Sequence, residues 1–170
     1  MPYTSKEGCC IQSMSNLLLF GYGNPGRGDD ALGLLLTEWT NQLGLSGVTC
    51  LTDMQLLIEH TCDLIQFQRI LFVDADMSCN GPFQFTNVYA EKDTSYTSHA
   101  LTPAALLFIF EKIYQRKPPN SFLLRIRGYD FELGNTLSKQ ADINLKAAIK
   151  YVQHWHLDYL GKICGNRNNA

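Results

Sequence analysis

From Asn16 to Gly33 the chain reads NLLLFGYGNPGRGDDALG, which places a strand signal directly before a helix signal. The run Asn16 to Tyr22 is largely apolar and is stopped by glycines, a pattern typical of a strand buried on both faces of a sheet. After the loop Gly23 to Gly28, the segment Asp30 to Leu43 repeats apolar residues at spacings of three and four. That spacing predicts an amphipathic helix packed beside the strand.

The same alternation continues along the chain. Apolar runs predict further strands at Val48–Thr52, Ile70–Val73, Phe83–Tyr89 and Phe122–Ile126. Periodic apolar residues and caps predict further helices at Met54–Phe67, Thr102–Gln115 and Ser138–Leu160. Because the strands are too apolar to face water, we predict a three-layer α/β/α sandwich around a mainly parallel, twisted sheet of about five strands. We expect residues 1–15 to be a loose extension, 16–160 to form one domain, and 161–170 to be a polar tail.

Composition and charge narrow the classes of function. The chain has 170 residues, the length of one domain, with 14 Lys and Arg against 16 Asp and Glu. The resulting net charge of −2 argues against a nucleic-acid partner. No apolar run approaches the roughly 20 residues that cross a bilayer, and the N-terminus lacks the order of a signal peptide. We therefore expect a cytoplasmic protein with no membrane partner. The six cysteines contain no Cys-x-x-Cys pair and are expected to be free thiols.

Residues that can carry chemistry follow three of the predicted strands. Asp29 and Asp30 come after the first strand, Asp53 ends the second, and Asp74-Ala75-Asp76 ends the third. His99 precedes the helix that begins near Thr102. Ligands of open α/β sheets bind beyond the carboxyl ends of the strands, so we expect these side chains to converge.

Two carboxylates and one imidazole on adjacent loops suit a divalent cation with open coordination positions. Nitrogen and carboxylate ligands without thiolate favour nickel or zinc over calcium or magnesium. We expect Asp29 to cap its own helix, which leaves Asp30 free to point outward. Asp74 should emerge at the sheet edge, and Asp76 shares that face if the strand continues. A simpler interpretation, in which these acids only cap helices, stays open.

The glycines allow a second interpretation. Gly21-x-Gly23-x-x-Gly26 after a strand matches the dinucleotide-binding fingerprint, with Asp53 as the ribose-binding acid. Asp53 lies about thirty residues beyond Gly21, where roughly twenty are expected. The carboxylates of Asp29 and Asp30 also stand where a pyrophosphate would bind. Both points disfavour a dinucleotide site.

The remaining histidines carry weaker signals. His154 and His156 are two residues apart on a predicted helix, which directs their rings away from each other and indicates a solvated surface. His60 is expected on a helix surface or in the core. The chain has no Gly-x-Ser-x-Gly elbow and no His-Glu-x-x-His motif, so neither a serine hydrolase nor a zincin is supported.

Taken in order, several motifs resemble those of the hydrogenase maturation proteases, the endopeptidases that finish the large subunit of nickel–iron hydrogenases. The motifs are GYGNPGRGDDALG at 21–33, VDA at 73–75, SHALTP at 98–103, and the block 128–138 with its Gly134 and Leu137-Ser138. Gln55 with Glu59 fits a pattern found in part of the family. The resemblance covers about residues 16 to 157.

The resemblance implies roles for individual residues. The metal-contacting and catalytic positions of the family fall on Asp30, Asp74 and His99, with Asp30 a shorter ligand where many members have Glu. Tyr129 to Glu132 replaces a block that often contains proline. Asp53, Asp29 and Asp76 are expected to be accessory. The substrate loops are expected to include Gly23, Asn24, Gly28, Gly128 and Gly134.

The function implied by the resemblance is proteolysis that depends on nickel. Such an enzyme removes the C-terminal extension of the large-subunit precursor once nickel is loaded, and it recognises the ion through two carboxylates and a histidine. The partner is then the precursor, the nickel is presented by that substrate, and zinc or cadmium can substitute in crystals. We expect a monomer. The alternatives are a non-catalytic nickel-binding maturation chaperone and, less favoured, a dinucleotide-binding α/β domain.

Overall fold

The structure is a computed structural model that describes residues 17–92 and 101–165. The strands of these ranges are β1 Leu17–Tyr22, β2 Val48–Asp53, β3 Arg69–Asp76, β4 Phe83–Val88 and β5 Asn120–Arg127. They form one sheet in the order β2-β1-β3-β5-β4. The pairs within β2-β1-β3-β5 are parallel, and β4 runs antiparallel to β5 at the edge. The predicted mainly parallel sheet of five strands is confirmed.

Helices cover both faces of the sheet. They are α1 Leu32–Leu43, α2 Thr61–Leu64, α3 Pro103–Tyr114 and α4 Lys139–Gly165, with 3-10 turns at Gly28–Ala31 and Ile58–His60. Leu17 and Leu19 of β1 belong to a core cluster with residues of α1 and α4. Leu18 and Phe20 belong to a second cluster with residues of α2 and α3. Because alternate side chains of a strand point to opposite faces, the two clusters confirm the three-layer sandwich.

Two glycines bring α1 unusually close to the sheet. A Cβ atom at Gly33 would lie 2.5 Å from the carbonyl oxygens of Tyr22 and Val73. A Cβ atom at Gly21 would lie 2.0 Å from the carbonyl oxygen of Gly33. The first turn of α1 therefore rests directly on the ends of β1 and β3, and this contact sets the position of the preceding turn, Gly28–Ala31.

We expect Gly33→Ala to destabilise the fold by about 1–3 kcal/mol, because the added methyl group meets backbone atoms that cannot rotate away. Gly161→Ala is the matched control in α4, where an added Cβ meets nothing within 4 Å. That control should stabilise the protein by about 0.5–1 kcal/mol, the usual gain when alanine replaces glycine in a helix. Urea unfolding monitored by circular dichroism measures both values, and equal effects at the two positions would contradict the close-packing argument.

Two predicted helix boundaries are wrong. Met54–Phe67 is not one helix: only the turn Ile58–His60 and the four residues of α2 are helical. Leu57 is extended, and its N–H donates to the ring of His60 at 2.9 Å, which starts the helical turn late. At the other end of the chain, α4 continues to Gly165, so that residues 161–165 of the predicted tail are helical.

The prediction that both C-terminal histidines face solvent is also wrong. His154 is exposed, but His156 is fully buried. The Nδ1 atom of His156 lies 3.2 Å from Nη2 of Arg69, and its Nε2 lies 2.8 Å from the carbonyl oxygen of Ser46. Residues two apart on a helix point in nearly opposite directions, so one ring turns toward the sheet while the other faces water.

No helix in the described ranges has both the length and the apolar character required to traverse a membrane. Cys50, Cys62 and Cys79 are free thiols, in agreement with the prediction. Cys9, Cys10 and the side chain of Cys164 lie outside what the structure describes.

Candidate functional site

The carboxyl ends of β1, β2 and β3 form one edge of the sheet, and the candidate site lies there. Tyr22 is paired with Asp53 across the β1–β2 register, and the N–H of Gly23 donates to the carbonyl oxygen of Asp53 at 3.2 Å. A Cβ atom at Gly23, whose φ is +139°, would lie 2.0 Å from the carbonyl oxygen of Asp30. Glycine at this position therefore lets the turn that carries Asp30 lie against the end of β1.

Asp30 is oriented by the loop that precedes it. The N–H of Asn24 donates to Oδ2 of Asp30 at 2.9 Å. Asp30 is half-buried and lines a cavity of about 440 Å³ that also contains Asp53 and Gln55 on its wall. Asp30 therefore presents a carboxylate to a cavity, as predicted, although one of its oxygens is also bound to the backbone.

Asp74 lies in β3, one residue beyond its apolar run, and is half-buried. The N–H of Ala75 donates to its Oδ1 at 2.8 Å, and the hydroxyl of Tyr22 forms a hydrogen bond with its side chain. Burial raises the pKa of Asp74 to about 7, and the charges of Asp30 and Asp76 contribute to the rise against the hydrogen bonds from Ala75 and Tyr22. Asp30 and Asp74 are therefore close enough to interact electrostatically.

The third predicted ligand, His99, lies outside the described residues, so its place in this cluster stays a prediction. Across 17–92 and 101–165, no group of three or more His, Cys, Asp and Glu side chains could hold a metal ion. Asp30 and Asp74, two members of the predicted ligand set, do not form a complete metal site with the other described residues, and their role as ligands stays a prediction.

The raised pKa of Asp74 predicts a stability that depends on pH. Unfolded aspartate titrates near 3.9, so between about pH 4 and 7 the folded protein holds a proton that the unfolded chain has lost. The titration of Asp74 therefore leaves the free energy of unfolding unchanged below about pH 4 and lowers it as the pH rises from 4 to 7. We expect Asp74→Asn in the metal-free protein to be about 1–3 kcal/mol more stable than wild type at pH 8, and no more stable at pH 4, because asparagine keeps only part of the hydrogen bonding.

Urea unfolding of wild type and Asp74→Asn at the two pH values measures this difference. Asp142→Asn, which removes an exposed carboxylate 2.6 Å from Nζ of Lys146, is the control and should change stability by less than about 0.5 kcal/mol. A stability gain of Asp74→Asn that is the same at pH 4 and pH 8 would show that ionisation of Asp74 is not its cause.

Asp29 does not cap its own helix, which corrects the prediction made for it. Its carboxylate is fully buried and turns instead to the segment 129–138. Oδ2 accepts hydrogen bonds from the N–H groups of Tyr129 at 2.7 Å and Asp130 at 3.0 Å, and from Oγ of Ser138 at 2.8 Å. Oδ1 accepts from the N–H of Ser138 at 2.7 Å. Burial alone would raise the pKa of Asp29, but these hydrogen bonds outweigh it and lower the pKa.

The segment 129–138 is tied to the loop before Asp29 by backbone contacts. The N–H of Gly28 donates to the carbonyl oxygen of Asn135 at 3.1 Å, and the N–H of Gly134 donates to that of Gly26 at 2.8 Å. A Cβ atom at Gly28 would lie 2.6 Å from the carbonyl oxygen of Asp130, and one at Gly128 would lie 2.9 Å from Cβ of Asp29. Of the predicted substrate-loop residues, Gly28 and Gly128 are explained by this packing, and their contact with substrate stays a prediction.

Asp76 forms an ion pair with a residue of the neighbouring strand β5. Strand β3 continues through Asp76, as the shared face with Asp74 requires. Oδ2 of Asp76 lies 3.0 Å from Nη1 of Arg125, and Oδ1 accepts from the N–H and Oγ of Ser78 at 2.6 and 2.7 Å. Burial raises the pKa of Asp76, but the contacts with Ser78 and Arg125 lower it overall. An accessory role for Asp76 stays a prediction.

His60 is a polar residue at this edge that the sequence analysis did not assign to the site. Its Nε2 lies 3.2 Å from Oδ2 of Asp53, which lines the cavity with Asp30. The sequence feature that could have indicated this pair is the histidine seven residues after the aspartate that ends β2. The pair was not predicted, because a continuous helix over 54–67 would not bring His60 back to Asp53.

Several solved structures with the same fold are described as hydrogenase maturation proteases. The HycI [NiFe] hydrogenase maturation protease of Thermococcus kodakarensis matches with a TM-score of 0.64 and 17% identity over 84% of this chain and 94% of its own. The hydrogenase maturating endopeptidase HybD of E. coli matches with a TM-score of 0.63 and 19% identity, over 81% and 89% of the two chains. The hydrogenase 2 maturation peptidase of a Thaumarchaeota archaeon matches with a TM-score of 0.60 and 19% identity, over 82% and 96%.

These identities are low, so the likeness establishes the fold: the chain has the fold of the hydrogenase maturation proteases. No protein-family model matches the chain, and a search of the curated proteins found no significant match.

Proposed function

We propose that this chain belongs to the hydrogenase maturation proteases and removes the C-terminal extension of the large-subunit precursor of a nickel–iron hydrogenase. The observation that carries the proposal is that Asp30 and Asp74 lie at the same carboxyl edge of the sheet, Asp30 against the end of β1 and Asp74 in β3. The charge of Asp30 contributes to the raised pKa of Asp74. The shared fold supports it, as does the motif GYGNPGRGDDALG at 21–33.

In this proposal the nickel ion is part of the substrate. It arrives already held by the precursor and gains further ligands from Asp30, Asp74 and His99. A site with few ligands of its own fits this task, because the protein then has little affinity for free metal.

In this proposal, the raised pKa of Asp74 lets a bound cation replace a proton on its carboxylate. Without a cation, the negative charges of Asp30 and Asp76 and the buried surroundings favour protonated Asp74. A cation that approaches the pair stabilises the carboxylate and releases the proton to solvent, because metal ligands bind in their deprotonated form. With a pKa of about 7, this proton loss costs little free energy at neutral pH.

The proposed reaction is hydrolysis of one peptide bond near the ion. One water molecule is consumed: its oxygen enters the new C-terminal carboxylate of the mature subunit, and the nitrogen leaves as the amine of the extension. Only a nickel-loaded precursor makes the additional bonds to Asp30 and Asp74, so nickel determines which precursor is positioned for cleavage.

The test is a cleavage assay with two matched precursors, one loaded with nickel and one without metal. We expect the purified protein to remove the C-terminal peptide from the loaded precursor alone, which mass spectrometry detects as a loss of the mass of the extension. Binding of the loaded precursor without cleavage would instead identify a non-catalytic nickel-binding chaperone. If neither cleavage nor binding occurs, and a fluorescence titration reveals tight dinucleotide binding, the dinucleotide-binding alternative replaces the proposal.

A further inference from the structure

His60 and Asp53 form a hydrogen-bonded pair that the nickel ligands do not account for. His60 is 8% exposed, and its Nε2 lies 3.2 Å from Oδ2 of Asp53. The ring of Phe20, itself fully buried, packs edge-on against the imidazole at 4.8 Å between centroids. Most core side chains contact only other buried groups, whereas this buried imidazole contacts a carboxylate on a cavity wall. That contact indicates a function beyond packing.

The contacts of His60 define its tautomer. The N–H of Leu57 donates to Nδ1 at 2.9 Å, so Nδ1 carries a lone pair. The proton of a neutral imidazole is then on Nε2, which donates it to Asp53. The backbone N–H of His60 in turn donates to the carbonyl oxygen of Leu57 at 3.1 Å. These reciprocal bonds hold the ring in one orientation, with its donor directed at Asp53.

Asp53 retains capacity for a ligand. Its Oδ1 accepts from the N–H of Met54 at 2.6 Å and its Oδ2 from His60, so two of about four acceptor positions are used. The side chain is 39% exposed and lines the cavity of about 440 Å³ that it shares with Asp30. That volume lies within the range of sites that bind small ligands or a few residues of peptide.

The surroundings indicate which donor Asp53 would meet. Arg27 lines the same cavity, and its positive charge disfavours a basic side chain of the substrate there. Asp53 also ends β2, an outer strand of the sheet. An extended polypeptide that binds along an outer strand brings its backbone N–H groups to that edge. A neutral main-chain N–H is therefore the donor that fits an oriented carboxylate at this place.

We propose that His60 is a positioning residue that holds Asp53 so that its carboxylate accepts a hydrogen bond from a main-chain N–H of the precursor polypeptide. The proposal rests on the proposed function, because it takes the precursor as the substrate. Its physical basis is preorganisation: a carboxylate already held in place loses little conformational freedom when the polypeptide binds.

Two isosteric substitutions separate the contacts of His60. Asparagine places its oxygen near Nδ1, so His60→Asn keeps the contact with Leu57 and loses that with Asp53. Glutamine places its amide near Nε2, so His60→Gln keeps the donor to Asp53.

We expect Asp53→Ala to raise KM and Kd for the nickel-loaded precursor about 10- to 100-fold with little change in kcat, the usual effect of losing a hydrogen bond to a charged group. His60→Asn should raise both at least about 3-fold, and His60→Gln should restore them to nearly the wild-type values.

The double variant His60→Asn with Asp53→Ala should match Asp53→Ala alone, because His60 then has no carboxylate to position. His154→Asn, a change at an exposed histidine of α4, is the control and should leave KM and Kd unchanged. Equal penalties of His60→Asn with and without Asp53, or wild-type KM in Asp53→Ala, would overturn the inference. If wild type binds the precursor without cleaving it, the proteolytic function fails while the Kd series still tests the role of His60. If wild type does not bind at all, both proposals fail.

Discussion

Replacing Asp30 or Asp74 by asparagine, or His99 by alanine, is expected to lower the rate of precursor cleavage at least about 100-fold. Under the proposed function, each change removes one of three ligands that the nickel of the precursor gains on binding. Losses of this size are common when a single oriented charged group is removed from an active site. Single-turnover cleavage of the nickel-loaded precursor, followed by mass spectrometry, measures the rate.

Stability measurements separate this loss from unfolding. Asp74→Asn should show this loss of activity yet be at least as stable as wild type at pH 8, because the carboxylate that it replaces has a pKa raised by burial to about 7. Asp142→Asn, an exposed change on α4, should retain full activity. If all three site variants still process the precursor at the wild-type rate, the assigned roles are wrong.

The largest effect on folding is expected for Asp29→Asn, with a loss of about 3–5 kcal/mol. The buried carboxylate accepts four hydrogen bonds: three from the backbone N–H groups of Tyr129, Asp130 and Ser138, and one from the hydroxyl of Ser138. Asparagine has one acceptor oxygen and a donor NH₂ group, so it leaves buried N–H groups without acceptors and directs its own donor at them. Urea unfolding at pH 7 measures the loss.

Asp130→Asn is the matched control for Asp29→Asn, because Asp130 lies in the segment 129–138 that Asp29 contacts. Its carboxylate accepts from the N–H of Glu132 at 3.0 Å and from Nδ2 of Asn135 at 2.8 Å, both in exposed contacts. We expect a loss below about 1 kcal/mol there. The lowered pKa of Asp29 adds a second signature: its contribution is present above about pH 4 and is lost as pH falls through the lower folded-state pKa. Similar losses for Asp29→Asn and Asp130→Asn would contradict the role assigned to burial.

The apolar runs in the sequence predicted the strands of the sheet well, because a continuous apolar run indicates a strand that is buried on both faces. The apolar runs in β1 and β3 are uniform since both faces of those strands are covered, and Thr102 caps α3 by accepting from the N–H of Ala105 at 3.2 Å. Met54–Phe67 was mispredicted because its apolar spacing suits a helix, whereas the ring of His60 takes the N–H of Leu57 and keeps Leu57 extended.

The candidate site was predictable to the level of which strand ends carry acids. Asp30 and Asp74 could be placed at one edge because the carboxyl ends of parallel strands coincide. Their individual tasks could not be assigned in this way. Asp29 and Asp30 are adjacent and chemically identical, yet one is buried against the segment 129–138 and the other lines a cavity.

The amino-acid sequence by itself therefore determined the α/β architecture, the order of its elements and the edge at which acidic residues gather, because these follow from periodicity and chain direction. Only the tertiary structure decided that Asp29 is buried against the segment 129–138, that Asp76 is paired with Arg125 and that His60 lies within hydrogen-bond distance of Asp53. These partners are brought together by packing between segments, and the protonation, orientation and availability of a carboxylate depend on the neighbours that packing supplies.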